Sequence, residues 1–331
     1  MFRFPRFKLA TFPTPLEEAR ALSEELGVKL YVKRDDVMEL ALGGNKVRKL
    51  ELLVGDALSK GCDTLITRGA FHSNHARLTA AAARKAGLDA YLVLAPPGEP
   101  ELQGNLLLDT LLGAEVITAG SRGEAEALMH ELAERLRREG RKPYVIPGGG
   151  ASPVGVLGYV AAALEILQQL RELGVKPDYI VHATGSGGTQ AGLTLGLKLL
   201  GADDVEVVGI SVGPSAREAR ERVAELADRT AELLGANTRI EPEDVTVIDR
   251  FTGGGYGVVG KEVIDVMKHV ARREALVLDP IYTAKAMWGL MRLAEQGYFR
   301  RGSNVIFIHT GGEPILFQLS NLRNALKHRH S

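Results

Sequence analysis

The chain reads as an α/β protein in which open, twisted, mainly parallel sheets are flanked by helices. Three observations predict this class. Short β-branched or aromatic runs alternate with longer Ala/Leu/Glu/Arg segments along the 331 residues, the pattern of successive βα units. Glycine clusters follow several of the strand-like runs, where open α/β sheets form their crevices. Apolar residues make up 45% of the chain, enough core for one large domain or two modest ones.

The predicted strands, in order, are LYVKRD (30–35), TLITRG (64–69), AYLVLA (90–95), EVITA (115–119), PYVIPG (143–148), YIVHATG (179–185), VEVVGISV (205–212) and NVIFIHTGG (304–312). Each is a short apolar run bounded by turn residues. Between them, helices are predicted over 46–61, 76–87, 124–140, 156–174 and 216–235. These five segments all run into a glycine, the residue that commonly ends a helix. No internal repeat or low-complexity linker interrupts the pattern.

Bulk properties narrow the partners. Forty-one basic residues balance 41 acidic ones, so no net field draws the chain to nucleic acid or to an anionic membrane, and a small-molecule partner is expected. The N-terminal stretch is broken by prolines, and no run was expected to reach the ~20 apolar residues of a membrane span. The single cysteine, Cys62, permits no intramolecular disulfide and suits a reducing cytoplasm. Its position at a strand entry suggests a small buried thiol.

Glycine turns supply the chemistry. Four follow strands: Gly43 to Lys46, Gly69 to His75, Ala183 to Gly192 and His309 to Gly312. A fifth, Phe251 to Gly257, lacks so clear a strand before it. In ATGSGGTQAG, unencumbered backbone N–H groups precede a helix, and Thr184, Ser186 and Thr189 add hydroxyls; this is a phosphate cup. Its glycines at 185, 187 and 188 miss the dinucleotide spacing, and no Lys-Ser/Thr follows for a nucleoside triphosphate. GYGVVGK, residues 255–261, mimics a nucleotide loop, but Glu262 stands where a magnesium-binding hydroxyl belongs. No metal site is expected: His72 and His75 lack a further ligand at suitable spacing, and the tail KHRHS reads as a solvated end.

Lys46 stands behind Gly-Gly-Asn at the mouth of an apolar helix. A lysine becomes a nucleophile when desolvation or a neighbouring cation lowers its pKa, and Arg48 and Lys49 are close in sequence. A phosphate cup, an amine nucleophile and backbone-exposing turns together point to pyridoxal 5'-phosphate.

The runs GGNKVRKLE, HSNHAR, GSGGTQAGL, GYGV, LDPIYTAKAM and FIHTGG, in this order over nearly the whole chain, resemble the D-cysteine desulfhydrase and 1-aminocyclopropane-1-carboxylate (ACC) deaminase family. That family belongs to the fold-type-II pyridoxal phosphate enzymes, with the tryptophan synthase β subunit. The resemblance implies that Lys46 is the Schiff-base lysine, which also moves the Cα proton. It implies that Asn74 meets the ring's phenolic oxygen and that Thr184, Gly185, Ser186, Gly187, Gly188 and Thr189 cradle the phosphate. Ser73, Asn74 and His75 would receive the substrate carboxylate at a helix start, with Ser73 beside the chemistry, and Tyr256 and Tyr282 would flank the reacting atoms.

ACC deaminases typically carry a glutamate after the DPxY tyrosine and a leucine before the last Gly-Gly; this chain has Thr283 and Thr310. Threonines at both positions resemble the D-cysteine desulfhydrase branch, with Thr310 as ring-nitrogen partner and Thr283 near it. A neutral partner leaves the electron sink shallower, which suffices to expel hydrosulfide. The implied reaction takes D-cysteine to pyruvate, hydrogen sulfide and ammonia; ACC deamination and L-cysteate sulfo-lysis are the alternatives. The family also implies a homodimer, a large domain of residues 1–50 and 158–331, a small inserted domain of residues 51–157, and a cofactor cleft between them.

Overall fold

A computed structural model describes residues 4–98 and 100–318; the tail KHRHS lies outside them. The described residues form two sheets. The chain opens with β1 (Leu16–Glu18), α1 (Arg20–Leu26) and β2 (Lys29–Arg34), followed by α2 (Lys46–Ser59). Next come β3 (Thr64–Ala70), α3 (Asn74–Ala86), β4 (Asp89–Ala95), α4 (Gly104–Leu111), β5 (Glu115–Thr118), α5 (Arg122–Arg138) and β6 (Pro143–Ile146). The rest is α6 (Pro153–Glu172), β7 (Tyr179–Thr184), α7 (Gly188–Leu199), β8 (Glu206–Ser211), α8 (Ala216–Leu234), β9 (Thr246–Ile248), α9 (Lys261–Glu274), α10 (Thr283–Glu295) and β10 (Asn304–His309).

One sheet runs β1-β2-β10-β7-β8-β9 and is parallel except for β1. The other runs β5-β4-β3-β6 and is wholly parallel. In the larger sheet β10 lies between β2 and β7, with Ile306 in register with both Tyr31 and Ile180. Helices cover both faces, so β7 and β10 are nearly continuous apolar runs. Val181, Phe307 and Leu290 belong to the core on one face; Ile180, Ile306 and Leu193 belong to that on the other.

All eight expected strands form. Two three-residue strands, β1 and β9, were not legible; each gains its hydrogen bonds at a sheet edge, from β2 and β8. The expected boundaries at 50/51 and 157/158 fall inside α2 and α6, two helices that pack on each other. The membrane expectation needs correction: α6 is long and apolar enough to cross a bilayer by length and composition. Here it packs against α2, α7 and α8, burying Val156, Tyr159, Ala163 and Ile166. Cys62 is also corrected, from buried to half-buried, because it sits in the turn before β3 rather than in the strand.

Below α2 lies a buried charge cluster. Arg48 pairs with Asp35 (2.7 Å) and with Glu165 (2.9 Å), and Lys33 reaches the same Glu165 oxygen at 2.6 Å. Tyr159 donates to Asp35, and Thr14 to its other oxygen. These contacts join β2, α2 and α6 and anchor the helix that begins at Lys46.

Candidate active site

The carboxyl ends of β3, β4, β6, β7, β8 and β10 converge on one pocket of ≈ 320 Å³, the place where parallel sheets put ligands. Lys46 is the first residue of α2 and opens onto this pocket. Burial alone brings its amine down to about 8. The expected help from Arg48 does not operate, because that guanidinium is spent on Asp35 and Glu165. Lys49 is fully buried without a carboxylate partner among the described residues; its Nζ donates to the Gly149 carbonyl at 3.3 Å. Desolvation first, and Lys46 second, hold Lys49 well below the usual lysine range.

The expected phosphate cup follows β7. Gly187, at φ 86°, caps α7, whose first N–H groups have no partner within the helix. Thr184 Oγ1 is buried with no partner, and Asn45 Nδ2 donates to Thr189 Oγ1 at 3.1 Å. Gly185, Ser186, Gly187 and Thr189 line the pocket; Gly188 instead faces Lys49, whose Nζ would lie 2.9 Å from a Cβ there.

Ser73 caps α3, accepting the Ala76 N–H at 3.1 Å. Asn105 Nδ2 donates to both Asn74 Oδ1 (2.8 Å) and the His72 carbonyl (2.8 Å), which leaves the Asn74 NH₂ to serve the pocket. His75 Nε2 meets Thr67 Oγ1 at 2.9 Å, and that hydroxyl donates to the Ile146 carbonyl. Nε2 is therefore assigned the proton, and Nδ1 is a buried acceptor without a partner. Burial, then Lys46, Lys49 and Arg68, hold the imidazole neutral. Tyr256 and Tyr282 share a hydroxyl hydrogen bond of 2.5 Å. Burial and the neighbouring phenol push Tyr282 well above its ordinary value, so it stays a proton donor at neutral pH.

Thr310 lines the pocket, and its carbonyl accepts the Asn45 N–H at 3.0 Å. Thr283 is not among the lining residues. It is fully buried, and its hydroxyl donates to Asp279 Oδ1 and accepts the Asp279 N–H, each at 2.8 Å. Through these bonds Thr283 braces the turn that carries Tyr282.

Several lining residues were not read from the sequence. Gly148 and Gly149 follow β6, and a Cβ on Gly149 would stand 2.5 Å from Ser186 Oγ and 3.7 Å from Lys46 Nζ. The signal was present in the triple glycine of PYVIPGGG. Arg68, Arg122 and Arg222 also face the pocket, and Arg222 donates to the Gly185 carbonyl at 3.1 Å. Scattered arginines carry no local signal of this convergence. Asp36, His309 and Glu313 bring one ligand atom each within 4.8 Å. His309 nevertheless spends Nε2 on the Val277 carbonyl and Nδ1 on the Gly311 N–H, leaving no lone pair for a metal.

An orphaned buried hydroxyl at Thr184, a glycine-lined helix start and a desolvated amine fit a phosphorylated aldehyde cofactor. The family model described as "Pyridoxal-phosphate dependent enzyme" matches residues 7–311. The chain belongs to this family. It is 50% identical over 317 residues to a Pyrococcus abyssi protein named "Putative 1-aminocyclopropane-1-carboxylate deaminase", covering 95% of this chain and 94% of that one. It is 44% identical over 320 residues to the D-cysteine desulfhydrase of Salmonella choleraesuis, covering 95% and 96%. A crystal structure described as that of an ACC deaminase homologue superposes with a TM-score of 0.91 at 46% identity, covering 98% and 97%. The pyridoxal phosphate cofactor and the fold-type-II α/β architecture follow from these matches, with an amino acid as the class of substrate.

Proposed function

We propose that this pyridoxal-phosphate-dependent lyase eliminates sulfide from D-cysteine, giving pyruvate, hydrogen sulfide and ammonia with the uptake of one water. The observation that carries the reading is the pocket wall: among the described lining residues there is no Asp or Glu, and Thr310 is the neutral group at the end of β10. A carboxylate facing the ring nitrogen would keep it protonated, which opening an unactivated cyclopropane demands; expelling hydrosulfide needs less.

Pyridoxal phosphate, when bound, supplies the electron sink that makes Cα acidic. Lys46 would be the amine that holds its aldehyde carbon, and as a free base it would accept the substrate's Cα proton. Its depressed basicity supports both roles, since a free amine is needed for each. The cup from Thr184 to Thr189 would hold the phosphate, whose negative charge would restore to Lys49 the proton that burial disfavours, with Gly188 packed beside that amine. Asn74 donates to the phenolic oxygen. Ser73, Asn74 and His75 receive the substrate carboxylate at the start of α3, where the dipole and free N–H groups favour an anion. Tyr256 and Tyr282 deliver a proton to the departing sulfur or hold it in place.

The reading includes a homodimer in the cytoplasm; the single cysteine suits a reducing compartment. It also includes a large domain of residues 1–50 and 158–331 and a small domain of residues 51–157, with the cofactor between them.

The Pyrococcus relative's name favours a second reading, ACC deamination to 2-oxobutanoate and ammonia. Purified protein offered D-cysteine, L-cysteine and ACC in parallel separates the two. Pyruvate with sulfide from D-cysteine alone is expected; 2-oxobutanoate from ACC would overturn the assignment.

A further inference from the structure

Four consecutive residues before Asn45 have left-handed backbone: Ala41 (φ 41°), Leu42 (φ 67°), Gly43 (φ 65°) and Gly44 (φ 120°). Two of the four carry a Cβ, and this region is costly for them. Leu42 gains nothing in return from packing, being 60% exposed. The run decides where α2 begins, and so where Lys46 points. One side chain grips it. Arg77, fully buried on α3, donates from Nη1 to the Ala41 carbonyl (2.8 Å) and from Nη2 to the Gly43 carbonyl (2.9 Å).

The setting is unusual for an arginine. Among the described residues no carboxylate lies within 4.0 Å of Arg77, and its Nε has no partner. The carboxylates that act on it from further away are Glu313 and Asp109. Asp109, on α4, is itself buried with both oxygens unpartnered, and burial pushes it up to about 8. A guanidinium held in the interior without a salt bridge is expensive, and what it obtains is a two-point hold on one strained turn.

We propose that Arg77 is a positioning residue for Lys46: its fork locks the left-handed run 41–44 and thereby aims the amine into the cleft. The clamp starts from α3, the helix that Ser73 caps and Asn74 begins, so it ties the carboxylate end of the pocket to the amine end. The inference rests on the reading of Lys46 as the cofactor's amine.

The test uses Arg77→Lys, which keeps the charge and loses the fork. In cofactor-free protein, Lys46 is titrated by competitive acetylation and peptide mapping, beside Lys49, His75 and His182, the titratable groups that share its surroundings. The wild type should show a midpoint near 8; in the variant it should move up toward the ordinary lysine value of about 10.4. Amide exchange of residues 41–46 should rise at the same time. In the loaded enzyme kcat should fall by about 10–100-fold with KM little changed.

Leu42→Val is the second variant. It adds a β-branched side chain at φ 67° on an exposed position, so it loads the clamp without touching the core. It should move the Lys46 midpoint the same way, by less. An unmoved midpoint in a folded Arg77→Lys protein, or in Leu42→Val should Arg77→Lys not fold, overturns the proposal. Borohydride reduction of wild-type holoenzyme isolates the underlying reading. A pyridoxyl group elsewhere than Lys46 would refute the amine assignment, whatever the acetylation result.

Discussion

Replacing Glu165 by glutamine should destabilise the protein in a way that depends on pH. The carboxylate bridges Arg48 and Lys33 at 2.9 and 2.6 Å with its side chain only 15% exposed, and the two cations hold it down from 4.5 to about 2 despite its burial. At about 1.4 kcal/mol per pH unit, that depression is worth about 3.5 kcal/mol. Lys33 points the other way: its own desolvation outweighs the attraction of Glu165 and lowers its amine. The cluster as a whole is thus worth less than the Glu165 figure, and a loss of about 2–3 kcal/mol at pH 7 is expected.

For the sign, a carboxylate depressed by folding contributes fully above its unfolded value of 4.5, and the contribution disappears as pH falls through about 2. Urea unfolding of both proteins at neutral and acid pH, with cofactor concentration held constant, measures the gap. It should be widest near neutrality and close on acidification. A gap below about 1 kcal/mol at pH 7, or one that does not narrow in acid, would refute the reasoning.

Further predictions concern the pocket. Lys46→Ala should abolish turnover and the cofactor's characteristic visible absorbance; persistence of both would remove Lys46 from its role. Because burial lowers Lys46 to about 8, the rate at which cofactor-free protein takes up pyridoxal phosphate should climb as pH rises toward about 8 and then level off, whereas a flat profile would contradict a desolvated amine. Lys49→Met should weaken cofactor binding by about 10–100-fold, as expected for losing a charge-assisted phosphate contact worth about 1.5–3 kcal/mol; absorbance titration reads this, and an unchanged affinity would place the phosphate elsewhere. Thr310→Val should slow elimination while leaving cofactor bound, and an unchanged rate would take Thr310 out of the ring-nitrogen position.

Strand and helix order were legible because short β-branched or aromatic runs between longer Ala/Leu/Glu/Arg segments are a local property of the chain. The glycine-rich turn from Gly185 to Thr189 and the helix start at Lys46 were legible too, since each is written in adjacent residues. The hydrogen bonds of Thr283 were not legible for the complementary reason. Its neighbour in sequence, Tyr282, does line the pocket, yet one residue further the start of α10 turns the hydroxyl back onto Asp279.

Local chemistry in the sequence therefore determined the α/β class, the glycine-rich helix start after β7 and the place of Lys46 at the start of α2. Tertiary structure alone decided which charges act on that amine. Arg48 and Lys49 stand two and three residues beyond Lys46, but helical geometry sends one into the Asp35–Glu165 cluster and the other, unpaired, to the Gly149 carbonyl beside the cup. It also decided that Gly149 and three arginines from β3, α5 and α8 line one cleft, while Asn105 holds Asn74 and Arg77 holds the turn before α2. Desolvation and charge act through space, and the distances that set them come from chain closure over a hundred residues or more, which no stretch of sequence records.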